Sequence, residues 1–131
     1  MTSQQPVELI LLRQLASYLT IAMWMMDASG NLLYYNEPAE GLLGVRFDEV
    51  GPLRADQLVE LFEVRDLDGE VIPDSEFPVG VALARHAPAH RALRFCARDG
   101  VWRKVEVTAM PIEGLASHFL GVLATFWDVE E

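Results

Sequence analysis

The sequence predicts an α+β fold: a five-stranded antiparallel sheet with short helices on one face and an amphipathic helix ahead of it. Three observations carry this. Two stretches of alternating polarity, Ala92–Arg98 and Val101–Ala109, flank Asp99-Gly100, a strong two-residue hairpin signal. A run of six apolar residues, Ile21–Met26, leads through Asp27-Ala28-Ser29-Gly30 into Asn31–Tyr35, which reads as strand, tight turn, strand. Phe119–Val129 is apolar on both faces, as a mid-sheet strand with both faces covered must be.

Composition bounds the rest. The 131 residues are 51% hydrophobic and 23% charged, which suits one globular domain with a single core. The one cysteine, Cys96, excludes a disulfide framework and a Cys-rich zinc site. No apolar run approaches the roughly 20 residues of a membrane helix. No basic region followed by an apolar one opens the chain, so a signal peptide is not read and a cytoplasmic, reduced compartment is expected. The net charge of −10 argues against nucleic acid and anionic membranes as main partners. The charge is segregated. Residues 46–76 carry ten acids and three bases, whereas 85–104 carry six bases and only Asp99 as an acid. This reads as two solvated faces that attract each other, or as a patch for an acidic partner.

The elements follow in order. Pro6 suits a first helical turn, and from Val7 to Leu19 the residues Leu11, Leu12, Leu15, Tyr18 and Leu19 fall at helical spacing. That stripe must bury against the domain or against a second chain. In the first hairpin, Gly30 can take the positive φ of the turn and Asp27 can bond backbone N–H groups across it. Asn36 caps a short helix with Glu37 and Pro38 in its first turn, Leu42 and Leu43 as its buried pair and Gly44 as its C-terminal cap. Leu58, Val59, Leu61 and Phe62 suggest another short helix, and Asp68-Gly69 a turn. Ser75 is positioned to cap a helix that holds Phe77, Val79, Val81, Leu83 and Ala84 and is ended by Pro88. In the last third Leu93, Phe95 and Ala97 oppose Arg94, Cys96 and Arg98, then Val101, Val105, Val107 and Ala109 oppose Trp102, Lys104, Glu106 and Thr108.

Three blocks together resemble a PAS domain of the bacterial sensory type, over roughly Leu15 to Glu131. Trp24-Met25-Met26-Asp27-Ala28-Ser29-Gly30-Asn31-Leu32-Leu33-Tyr34-Tyr35-Asn36, followed by 37–44, is similar to the family's strand, D-x-x-G turn, strand, capping Asn and first helix. Gly41 departs from the bulkier residue usual there. Asp99-Gly100 with 105–112 resembles the last hairpin, and Gly121–Phe126 running into Asp128-Val129-Glu130 the family's exit. The resemblance implies a sensory or interaction module and not an enzyme. It implies a small molecule held between sheet and helices, dimerisation through an N-terminal helix (residues 1–20, ahead of a sensor domain at 21–131) and a signal leaving through the last strand at Asp128. Such domains bind haem, flavin, organic acids or nothing known, and the fold does not choose among them.

Met23, Trp24 and Met25 are pocket candidates because Met adapts to irregular ligands, although a Met- and aromatic-rich strand also makes plain core. One parity of that strand faces inward, and the sequence leaves open which. Tyr34, Phe62, Phe77, Val81, Phe95, Val107 and Thr125 are candidates on the same terms. Leu11, Leu12, Leu15 and Leu19 are the candidate seam of a homodimer. His86 lies near the end of the helix that resembles the haem-bearing one of oxygen sensors, but it precedes Ala87-Pro88, where the helix stops. Cys96 lacks the N-C-R motif of flavin-adduct relatives; its neighbours Arg94 and Arg98 favour a thiolate. No phosphate loop, H-E-x-x-H, G-x-S-x-G or metal spacing occurs. A small isomerase of cone-shaped α+β fold would need a carboxylate on an apolar strand face, and the mid-strand acid, Glu106, sits on the Lys104 side. Two readings remain: a dimeric ligand sensor, with a haem or flavin variant of it, and a ligand-free module that docks a partner protein through its sheet.

Overall fold

A computed structural model describes residues 7–54, 57, 62–73, 75–97 and 100–129. Its elements are α1 (Val7–Ala16), β1 (Ala22–Asp27), β2 (Leu32–Tyr35), α2 (Glu37–Leu43), α3 (Phe47–Val50), β3 (Glu63–Arg65), α4 (Pro78–Arg85), β4 (Ala89–Cys96), β5 (Trp102–Glu113), a 3₁₀ turn at Leu115–Ser117, and β6 (Phe119–Asp128). The strands form one antiparallel sheet in the order β2-β1-β6-β5-β4-β3. The two-faced strand β6 is interior, as its pattern requires.

Among the described residues the sheet has six strands where the sequence predicts five. The additional strand, β3, is three residues long, too short for alternation to show. It pairs with β4 through Glu63↔Cys96, Val64↔Phe95 and Arg65↔Arg94. The short helix expected around Leu58, Val59 and Leu61 falls outside the described residues, as does Asp99.

The two faces of the sheet bury separate cores. The inner one gathers Ala22, Trp24 and Met26 of β1, Leu93 and Phe95 of β4, Val105, Val107 and Ala109 of β5, and Val122, Ala124 and Phe126 of β6, roofed by α2 and α4. The outer one gathers Met23, Met25, Ile112, Leu120 and Leu123 beneath Leu9 and Ala16 of α1, with Leu12 and Leu19 packed against it. The N-terminal helix thus covers the second face of β6. It ends at Ala16 rather than Leu19, and Ser17–Leu19 continue as a tight turn in which Tyr18 and Leu19 N–H groups donate to Leu15 and Ala16 carbonyls.

Three hairpin turns share one construction. Gly30 N–H donates to the Asp27 carbonyl, Gly69 to Asp66, and Gly100 to Ala97; in each case the first residue's N–H also donates to the carbonyl just past the glycine. Three residues therefore separate the last paired positions, and the glycine stands at φ +85°, +88° and +81° respectively. The Asp99-Gly100 hairpin is thus one residue longer than its dipeptide suggests. In the first two turns the Asp side chain completes the loop. Asp27 Oδ1 accepts from Ser29 and Asn31 N–H, and Asp66 Oδ1 accepts from Asp68 and Glu70 N–H.

Helix α4 starts later than expected. Pro78 opens it and Phe77 occupies the cap position, so Ser75 lies in the preceding turn. It stops at His86, whose backbone turns left-handed (φ 52°), two residues before Pro88. The two charge-rich segments do meet. Glu76 faces Arg91 at 3.9 Å, and Arg94 Nε donates to the Leu67 carbonyl.

Candidate functional site

Between the inner face of the sheet and α4 lies a cavity of about 480 Å³. Its floor is Trp24 and Met26 (β1), Leu93 and Phe95 (β4), Val105 and Val107 (β5) and Phe126 (β6). Val79, Gly80 and Leu83 of α4 and Leu43 of α2 form the roof, and Phe62, Val64, Ile72 and Phe77 a side wall. Concave, mostly apolar spaces of about 300–1,000 Å³ are what small-molecule sites occupy. The polar lining is sparse: Ser29, Glu63 and Arg65. Arg65 turns one nitrogen to its neighbour's carbonyl at Val64 (3.1 Å) and another toward Glu63 (3.9 Å).

An aromatic chain spans the floor. Trp24 meets Phe126 edge-on, with centroids 5.7 Å apart, and Phe62 at 6.4 Å; Phe62 in turn meets Phe95 at 5.4 Å.

Five residues singled out as pocket candidates line this cavity: Trp24, Phe62, Phe77, Phe95 and Val107. The other five do not. Met23 and Met25 follow the opposite parity of β1 and pack under α1. Tyr34 joins that outer cluster. Thr125 lies across from Met23 in the β1–β6 ladder and alternates away from Ala124 and Phe126. Val81 sits between the roof residues Val79 and Leu83 without joining the cavity lining. Met26, Leu83, Leu93, Val105 and Phe126 are lining residues that the candidate set omits. The alternation of β4 and β5 already places Leu93 and Val105 beside Phe95 and Val107.

Neither cofactor anchor suits this cavity. The His86 imidazole lies flat on Phe119, with centroids 3.8 Å apart and planes 6° off parallel, and is not part of the cavity wall. Cys96 alternates to the outer face of β4, where its thiol approaches the Ala97 carbonyl at 3.6 Å. Glu106 likewise stands on the outer face, 3.8 Å from His90.

The outer surface of α1 is apolar. Leu12 and Leu19 turn inward onto their own sheet, whereas Val7, Leu11, Leu15 and Tyr18 stand exposed in one stripe, Leu15 at 52% and Tyr18 at 75%. Arg13 fixes the helix laterally, its guanidinium 4.6 Å from the centre of the Tyr34 ring, which meets Phe47 edge-on. Burial raises the Tyr34 phenol above its ordinary pKa, against the opposing pull of Arg13. At the far end, Asp128 closes β6, exposed and opposite Val105, and the Val129 N–H donates to the Lys104 carbonyl. No helix among the described residues is long and apolar enough to cross a membrane.

No family model matches the chain, and no curated protein matches it in sequence. Solved structures do match. The PAS domain of a protein from Colwellia psychrerythraea superposes with a TM-score of 0.65 at 20% identity, over 92% of this chain and 96% of that one. The PAS domain of BvgS from Bordetella pertussis gives 0.62 at 17% identity, over 95% and 87%. The LOV protein of Rhodobacter sphaeroides gives 0.74 at 12% identity, over 96% and 70%. The antiparallel sheet with helices roofing its inner face is accordingly the PAS fold.

Proposed function

We propose that this chain is a sensory signalling module. It binds a small molecule in the cavity beneath α4 and acts by binding rather than by catalysis. The apolar cavity carries the reading, because a fold of this size has no structural need for so large a space beside its core. The chain works as a homodimer joined through the outward stripe of α1. Helix α1 lies directly on Met23 and Met25, whose strand neighbours Trp24 and Met26 floor the cavity. A ligand that shifts β1 therefore moves the helix that carries the seam, and the strand beside β1, β6, ends at Asp128.

Thermal melting against a library of apolar small molecules tests this. A binder should raise the Tm of the wild-type chain, and Val107→Phe, which fills part of the cavity, should weaken that rise. Binders indifferent to Val107→Phe would place the site elsewhere.

A second reading, a module that docks a partner protein through its sheet, draws on Trp102 and Trp127. Both stand on the outer face beyond α1, 46% and 37% exposed.

A further inference from the structure

The Nε1–H of Trp24 is buried without a hydrogen-bond partner, the one such side-chain atom among the described residues. Trp24 is only 9% exposed and its ring forms part of the cavity floor. Buried indole N–H groups ordinarily find an acceptor, because an unmet donor in an apolar setting is costly. Here Phe62 and Phe126 lie against the ring, Met26 (whose thioether is only a weak acceptor), Leu93 and Val107 share its cavity, and neither Ser29 nor Glu63 of the polar lining bonds its N–H.

We infer that the ligand supplies the missing acceptor: it is an uncharged molecule of about two rings that presents one oxygen or nitrogen acceptor to Trp24 Nε1. This rests on the ligand-sensor reading above and narrows it. Size is bounded by the volume: an engineered cavity of about 150 Å³ holds one benzene, and this one is about three times that, room for two rings and the group that links them. Neutrality follows from the walls. Arg65 and Glu63 face each other, and a further charge among these apolar side chains would be left uncompensated. Nε1 is sealed from solvent, so the acceptor reaches it when a neighbouring ring shifts. Phe126 and Phe62 are the rings packed against the indole, at 5.7 and 6.4 Å.

A matched pair of probes tests the inference: benzophenone, with its carbonyl, and diphenylmethane, the same two rings without it. Affinities are read by calorimetry and by the ¹H–¹⁵N indole signals of Trp24, Trp102 and Trp127. The expected result is that benzophenone binds about 5- to 10-fold more tightly. Its addition shifts the Trp24 indole signal downfield and leaves the other two in place, and Trp24→Phe abolishes the preference. Should Trp24→Phe not fold, the indole signals of the wild-type chain decide. Equal affinity for both probes, with no movement of the Trp24 signal, overturns the acceptor assignment while leaving a ligand-binding cavity intact. Binding of neither probe overturns the cavity reading along with it.

Discussion

The side-chain amide of Asn36 donates to the backbone carbonyl of Ala16 across 2.8 Å, tying the start of α2 to the end of α1. The same amide donates to the Ile21 carbonyl, and its oxygen accepts from Met23 and Ala39 N–H groups. Asn36 is 1% exposed and all four of these bonds are made. One side chain thus caps α2, anchors β1 and fixes the helix that lies over the outer core. Asn36→Ala removes a helix cap and leaves several buried backbone groups unmet, a loss of about 3 kcal/mol or more. Urea denaturation measures it. Asn36→Asp retains the acceptor but sets a carboxylate against two carbonyls, so it too should be destabilised, and less so at acid pH, where a protonated carboxyl can donate again.

Gly121 is demanded by β1. A Cβ at this position would collide with the Met26 carbonyl oxygen and press on Asp27 Cα. The backbone there belongs to the β1–β6 ladder, where Gly121 faces Asp27, so it has nowhere to retreat. Gly121→Ala should cost about 3 kcal/mol, seen as a large fall in Tm. Gly41, with open space around its Cα, should accept Ala with a small gain in stability.

The outward stripe of α1 separates association from folding. Leu15 is half exposed, so Leu15→Glu should change monomer stability by less than about 0.5 kcal/mol. Light scattering should then report a dimer for the wild type and a monomer for the variant, and an unchanged mass would refute the seam. Leu12→Glu, which sets a charge against the outer core, should instead unfold the chain.

Tyr35 predicts an alkaline limit. Its hydroxyl donates to the Val45 carbonyl at 2.9 Å, and burial, reinforced by Glu40, Glu49 and Asp48, pushes its pKa from 10.0 up to about 12. The folded chain therefore holds this proton more tightly than the unfolded one. Its contribution is complete below pH 10 and is lost as the pH climbs through 12. Urea midpoints at pH 7, 9 and 11 should fall at the last of these. Tyr35→Phe should blunt that fall while costing about 1 kcal/mol at pH 7.

Much of this was legible in the residues. The D-x-x-G turn, the Asn36 and Gly44 caps, the alternation of β4 and β5 and the double-sided β6 are local signals, and each is where its pattern puts it. The cavity was half legible. Aromatic identity marks Trp24, Phe62 and Phe95, but β1 is apolar on both faces, so its composition cannot say whether Trp24 or Met23 turns inward. Parity is fixed by what covers each face, here α1 over Met23 and Met25, and that is a tertiary fact. The same holds for the seam. Helical spacing groups Leu11, Leu12, Leu15 and Leu19, yet the docking of α1 splits them into two inward and two outward residues. The bonds of Asn36 to Ala16 and Ile21 join positions 20 and 15 residues apart and leave no local trace.

The central claim is that the cavity beneath α4 holds a small molecule in a dimeric sensor. Native mass spectrometry of gently purified protein tests it most directly. The account predicts a dimer carrying a reproducible extra mass, which Val107→Phe reduces. A chain that repeatedly flies bare, with no added mass and no change on Val107→Phe, would contradict it and favour the partner-docking face of Trp102 and Trp127.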